Sequence, residues 1–304
     1  MPQPLSHKLA TPTTALPLRV LVAALRRLFR VELSAMVALS ALAGTLFSGA
    51  RLGAATLVAT LATGLLAAGC SALNQWQEQD LDSRMQRTSR RPLPQGLLTP
   101  ATALWLCLPT IGGGILLLGL LPGWRPLLIG LLAVIWYNGI YTPLKRRTAF
   151  AAIPGAVCGA LPPLIGWTAA GGQLSDPRIL LLAGTLFVWQ IPHTWLLYCR
   201  YREDLERSGL PNPLRTCSTR LLLRINHSWL MSLGVSYLLF PLFGYIAQPL
   251  LAAAFVTGIL LLGGAMLKTA RDADQIESAH RAFHLVNLSM ALLLTTLILD
   301  RLFQ

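Results

Sequence analysis

Residues 52–73 read LGAATLVATLATGLLAAGCSAL, and the chain runs straight on into NQWQEQDLDSRMQRTSRRP, residues 74–92. The first stretch is free of charge and long enough to cross hydrocarbon as a helix. The second packs three acids and four arginines into nineteen positions. An uncharged run that empties into both signs of charge reads as a membrane helix ending at a polar surface. The same outline recurs along the chain. Nine apolar segments can be marked, at 31–50, 52–73, 100–121, 125–143, 150–171, 179–199, 225–246, 248–268 and 281–303.

Composition agrees with that reading. Of 304 residues, 54% are apolar and only 12% charged, against roughly 25% charged in a soluble domain. Mean hydropathy is +0.57. A disordered chain, a collagen and a soluble disulfide scaffold are excluded together. Every backbone amide in hydrocarbon needs an internal partner, so the segments are expected to be helices. Short alternating strands of the β-barrel kind are absent from the sequence. The expected fold is all-α and polytopic, with nine transmembrane helices in a single domain over 31–304, after a basic arm over 1–30. Cys70, Cys107, Cys158, Cys199 and Cys217 show no CxxC spacing and read as small core hydrophobes.

The net charge is +13. In a soluble protein that would point to nucleic acid; in a membrane protein it reflects basic loops on one face. With nine spans, 21 of the 25 basic residues fall on the same side, leaving Arg51, Arg125, Arg178 and Arg301 opposite. The alternation predicts a cytoplasmic N-terminus and an external C-terminus. A bacterial inner membrane is the expected setting and a mitochondrial inner membrane the alternative. The arm includes an amphipathic stretch from Leu21 to Phe29, which reads as an interfacial helix or else as part of a transit peptide.

Topology explains the arginines but not the acids among them. Ten of the twelve acidic residues lie on the predicted inner side, nine of them in three clusters. Asn74, Glu78 and Asp82 are spaced i, i+4, i+8, which stacks them on one helix face if the second span continues. Two carboxylates and an amide oxygen suit Mg²⁺, which tends to combine few protein oxygens with substrate phosphate. The arginines beyond them suit phosphate oxygens. The pattern therefore fits a metal–diphosphate at the membrane boundary, against a bland alternative of surface ion pairs.

The second cluster, Glu203, Asp204 and Glu206, follows the sixth span as the first follows the second, 126 residues later. That offset hints at a four-helix repeat. Asp204 is its metal-side candidate, while Glu203 and Arg207 are placed to pair on a helix. Asp272, Asp274 and Glu277 have no amide partner or Arg run beyond them and read as a solvated loop. His193 lies near the inner end of an apolar span, where an ionisable group is a functional hypothesis by default; a histidine satisfied by a helix carbonyl is the alternative. His280 and His284 read as packing residues, Trp76, Trp189 and Trp195 as interface or packing aromatics, and Asn138 as a residue bonding across helices.

The pattern Asn74–Glu78–Asp82, with Met85-x-Arg87-Thr88 and Arg91-Pro92, resembles the first Asp-rich motif of the UbiA superfamily of intramembrane prenyltransferases. Further matches are Tyr141-Thr142-x-x-Lys145-Arg146-Arg147-Thr148, Pro162-Pro163-Leu164-Ile165-Gly166-Trp167 and Trp189-Gln190-x-Pro192-His193. These are most similar to the protoheme IX farnesyltransferase (heme O synthase) branch, and the likeness extends over about residues 30–300. The branch's Lys-Pro-Arg opening is replaced here by Phe29-Arg30-Val31, and its second motif is altered around Arg200-Tyr201-Arg202-Glu203-Asp204.

The resemblance implies helices around a central chamber and Mg²⁺-dependent transfer of farnesyl from farnesyl diphosphate to a vinyl group of heme b. Heme b is then a substrate rather than a cofactor. It further implies that Asn74, Glu78, Asp82 and Asp204 hold the metal, with Arg87, Arg91, Tyr141, Lys145 and Arg146 at the diphosphate. His193 would approach the porphyrin. Rival readings are an aromatic or quinone-precursor acceptor, a transporter and a heme-binding assembly factor. Transporter coupling acids sit near the bilayer midplane, whereas these acids sit at helix ends. An assembly factor has no need of the Asn74–Glu78–Asp82 set beside basic residues.

Overall fold

The computed structural model describes residues 17–271 and 275–304. Among them all regular structure is helical. In chain order the helices are α1 (Leu18–Leu28), α2 (Val31–Phe47), α3 (Ala54–Gln77), α4 (Gln79–Asp82), α5 (Pro100–Gly119) and α6 (Arg125–Val134). A π-helical turn, Ile135–Tyr141, carries α6 into α7 (Thr142–Leu144). Then come α8 (Ala152–Gly155), α9 (Val157–Ala169), α10 (Pro177–Arg200), α11 (Arg202–Ser208), α12 (Pro213–Thr216), α13 (Thr219–Leu242), α14 (Pro249–Arg271) and α15 (Gln275–Leu302).

All nine segments expected to span fall in helices. Seven helices among the described residues are long and apolar enough to cross a membrane, or eight if the bent pair of α1 and α2 counts as one span. The 24-residue α13 is outside that set, so the multi-pass fold is plain while the number nine remains an expectation. Of the third acidic cluster, Asp272 and Asp274 lie outside the described residues.

Helix starts follow ordinary capping chemistry. Thr99 accepts from Thr102 N at 3.1 Å ahead of Pro100, and Asp176 from Arg178 N at 2.9 Å ahead of Pro177. Asp300, 1% exposed, takes Ala247 N and Gln248 N just before α14. The first two pairings satisfy donors that a helix N-terminus leaves open, and the third fixes the turn that leads into α14. The amphipathic α1 buries Ala24 and Leu28 and is tied to α3 by Gln75 Nε2, which donates to the carbonyls of Arg27 and Leu28 at 3.0 and 2.7 Å. Arg30, the one non-glycine residue with positive φ among the described residues (φ 45°, ψ 54°), breaks α1 from α2 at a 46° bend.

Within the bundle α2 packs against α3, α9 and α15, and α10 against α9, α13 and α15. The helices α2 and α9 approach closely. A methyl group on Gly44 would run into the backbone of Pro163, and one on Gly166 into the carbonyl of Ala41. Small residues let helix backbones come this near in a membrane. Leu33 and Val37 of α2 and Pro162 and Ile165 of α9 line a cavity that also takes in the ends of α3 and α10.

Candidate functional site

The cavity has a volume of about 360 Å³ and two zones. Its deep part is apolar, with Leu66, Ala133, Pro162 and Ile165 among its walls. Its mouth is polar and assembles residues from five segments of the chain. Asn74, Glu78, Asp82, Arg87, Arg91, Tyr141, Lys145 and His193 all line it. Asp204 and Arg146 are not among the lining residues.

The first acidic motif is placed by the way α3 ends. At Glu78 the backbone leaves helical geometry (φ −113°, ψ 16°) and re-enters the short α4. Asn74 Nδ2 donates to Glu78 Oε2 at 2.9 Å and to Thr142 Oγ1 at 3.1 Å. Lys145 Nζ meets the same Glu78 oxygen at 2.7 Å. Glu78 Oε1 is buried with no hydrogen-bond partner, an oxygen whose burial is unfavourable until something cationic or a donor reaches it. Asp82, 1% exposed, accepts from Arg91 at 2.6 Å. Burial pushes the Asp82 carboxyl above its ordinary range, against the pull of Arg91. Burial likewise lowers the Arg87 guanidinium, helped by the like charges of Arg91 and Arg30.

The π-helical turn sets the opposite side of the mouth. It brings Tyr137, Tyr141 and then Lys145 to the cavity, with Lys145 Nζ 5.1 Å from the Tyr141 ring centre. Asn138 donates to Cys70 O at 3.0 Å and to Gln77 Oε1 at 3.1 Å, the cross-helix bonding expected of it. Arg146 turns outward instead. It grips Asp80 at 2.6 and 3.0 Å and donates to Gln77 O at 2.9 Å. That pairing holds the Asp80 carboxyl below its usual range.

Asp204 stands behind the first motif. Its two oxygens accept the backbone N–H groups of Gln86 and Arg87 at 2.7 and 3.0 Å. Glu203 and Glu206 pair with Arg207 and Arg202 on the exposed face of α11. His193 faces the cavity from α10, in tilted contact with Trp189 and Phe283, whose ring centres lie 4.6 and 4.9 Å away. Its Nδ1 lies 2.8 Å from Asn287 Oδ1. With that oxygen accepting, Nδ1 is the donor, and Nε2 of the neutral ring carries the lone pair.

Sequence reasoning missed two participants. Arg30 lines the mouth, although the sequence reading gave it no role there. Tyr201 lies under Arg87, 5.0 Å from guanidinium carbon to ring centre. With Arg30 included, four cations line the mouth (Arg30, Arg87, Arg91, Lys145) against two acids. Such a mouth attracts an anion carrying several negative charges. No group of three His, Cys, Asp or Glu among the described residues is placed to hold a metal alone. The unpartnered Glu78 Oε1 and the Asp82 carboxylate at the mouth are hard oxygen donors of the kind that Mg²⁺ combines with phosphate ligands.

Comparison with known proteins follows the same lines. The family model for the UbiA prenyltransferase family matches residues 33–289. A protoheme IX farnesyltransferase of Geobacter sulfurreducens is 46% identical over 237 residues, 77% of this chain and 87% of the relative. One from Nitratidesulfovibrio vulgaris strain Hildenborough is 36% identical over 287 residues, covering 93% and 97%. Among solved structures, that of a digeranylgeranylglyceryl phosphate synthase superposes with a TM-score of 0.71 at 14% identity, covering 93% of this chain and 99% of the other. A UbiA homolog from Archaeoglobus fulgidus bound to DMAPP and Mg²⁺ gives 0.67 at 14% identity, covering 88% and 98%. At such identities the structures speak for the fold, and the family rests on the sequence match over most of the chain: this is a multi-pass membrane protein of the UbiA prenyltransferase family.

Proposed function

We propose that the chain is a protoheme IX farnesyltransferase, moving farnesyl from farnesyl diphosphate to a vinyl group of heme b to give heme O. The observation that carries this reading is the cavity: a cationic mouth with oxygen donors, opening onto an apolar chamber. The curated relatives of that name supply the acceptor. In the reaction the bond between farnesyl C1 and the diphosphate oxygen breaks, and the electron pair leaves on the diphosphate. The allylic cation is attacked by the vinyl π-electrons, and water adds to the resulting carbon and loses a proton.

This chain's residues answer each need. Arg87, Arg91 and Lys145 offset the charge that grows on the departing diphosphate, pre-oriented around the mouth. Lys145 and Arg91 are already held by Glu78 and Asp82, so little reorganisation precedes bond cleavage. Tyr141, beneath Lys145, contributes a hydroxyl to the same anion. Mg²⁺, where bound, supplies positive charge at the leaving oxygens; Asn74, Glu78 and Asp82 would hold it. The deep apolar walls keep water from the cation until the vinyl group has reacted. His193 would meet the porphyrin or its iron through Nε2. The mouth is read as lying at the cytoplasmic face of a bacterial inner membrane, with the basic arm beside it and the prenyl tail drawn from the bilayer.

The test is direct. Purified protein in lipid nanodiscs is incubated with Mg²⁺, farnesyl diphosphate and heme b, and the pigment is identified by mass spectrometry. Heme O supports the reading. Diphosphate release with heme b unmodified would move the acceptor to an aromatic or quinone precursor. His193→Ala is expected to weaken heme b binding, read from the Soret band, while farnesyl diphosphate affinity is retained.

A further inference from the structure

The segment from Ser83 to Arg91 carries two of the four cations at the mouth and forms no regular helix. It is folded by turns. Thr88 N and Ser89 N donate to Met85 O, Arg91 N donates to Thr88 O, and Thr88 Oγ1 donates to Asp82 O. A turn of this kind leaves its leading N–H groups open, as the first turn of a helix does. Here the leading donors are Gln86 and Arg87, and both end on one carboxylate, Asp204, from 117 residues further along the chain. Asp204 is 7% exposed. The segment that supplies it also takes the far end of Arg87, whose guanidinium lies over the Tyr201 ring.

We propose that Asp204 and Tyr201 are positioning residues, which together hold Arg87 at both ends and so set the cation that receives the prenyl diphosphate. Asp204 acts on the backbone of the loop, and Tyr201 on the side chain. Each Asp204 oxygen already accepts a backbone N–H, and its neighbour Leu205, rather than Asp204 itself, lines the cavity. A carboxylate used in this way fixes a loop as a helix cap fixes a first turn. The inference rests on reading the mouth as a diphosphate site. It departs from the sequence expectation of Asp204 as a metal ligand.

Full-length protein in nanodiscs tests it with two readouts. The first is amide hydrogen exchange in the peptide covering 83–91 with no ligand present. The second is farnesyl diphosphate affinity across a Mg²⁺ titration. Asp204→Asn, whose amide can accept at only one of the two N–H groups, is expected to speed exchange in that peptide. It should weaken farnesyl diphosphate about tenfold, as loss of one oriented charge contact does, with the half-saturating Mg²⁺ concentration unchanged. Tyr201→Leu is expected to weaken affinity with exchange at 86–87 retained, and Tyr201→Phe to restore it; these variants also serve should Asp204→Asn fail to fold. A raised Mg²⁺ requirement in Asp204→Asn with exchange as in the parent would overturn the inference and make Asp204 a metal ligand. Parent-like exchange and affinity would overturn it as well. If the parent itself binds no prenyl diphosphate, the diphosphate reading falls, and the exchange arm still decides whether Asp204 holds the loop.

Discussion

Two spans of this protein end in the same way and serve different ends. The helix α3 breaks at Glu78 with φ −113° and ψ 16°; α10 breaks at Tyr201 with φ −114° and ψ 38°. Each then enters a short acidic helix at the same end of the bundle. In the first, Glu78 and Asp82 are buried against Lys145 and Arg91 at the cavity mouth. In the second, Glu203 and Glu206 are exposed and pair with arginines of their own helix. Only Asp204 turns inward, and it meets backbone. Clustered acids at a helix end are therefore a shared local device, and burial together with the partner decides the chemistry.

The comparison breaks outright if the two turns lie on opposite faces of the membrane. Maleimide labelling of Ser83→Cys and Glu203→Cys is expected from one side, and of Ser175→Cys from the other. The next largest effect separates the acids themselves. Asp82→Ala should cut diphosphate release by about a thousandfold, the scale seen on losing an oriented charge from a reacting site, with the protein still folded in membranes. Normal release in that variant would remove the first turn from the site. Lys145→Ala, which leaves Glu78 buried without its cation, should lower kcat/KM by about a hundredfold. Glu206→Gln should leave turnover within about twofold, since exposed helix pairs contribute little; a larger loss would erase the distinction between the turns.

The smallest effect concerns pH. The Asp80 carboxyl is held below its usual range by Arg146, so its contribution to stability is present above the unfolded carboxyl range. It is lost as pH falls through the lower folded value. Asp80 is half-exposed, so solvent screening keeps the effect to a few tenths of a kcal/mol. Melting of Asp80→Asn should fall just below the parent at pH 7 and approach it toward pH 3.

Much of this was legible in the sequence because the membrane restricts the answer. Apolar runs of span length have few alternatives to helix, and the i, i+4, i+8 spacing of Asn74, Glu78 and Asp82 survives even though the helix breaks at Glu78. What stayed hidden depends on long-range contact or on backbone geometry. Arg146 and Lys145 are adjacent and chemically alike, yet the turn after α7 sends one to Asp80 and the other to Glu78. Nothing local distinguishes them. Arg30 lines the mouth from a left-handed backbone position, and no residue pattern announces that conformation. The bonds from Asp204 to residues 86 and 87 join α11 to a loop more than a hundred positions away.

The glycines divide the molecule into regions of unequal tolerance. At Gly44 and Gly166 a single added methyl meets backbone across the α2–α9 crossing, and no rotamer change can relieve it. At Gly112, Gly113, Gly263 and Gly264 nothing lies within 4 Å of the same added atom. Alanine at those four positions would remove backbone freedom from the unfolded chain at about 0.4–1 kcal/mol each, without touching the crossing or the cavity. An engineer seeking a sturdier protein would thus work on the open surfaces of α5 and α14. A natural lineage drifting in sequence would find the same surfaces open and the α2–α9 seam closed.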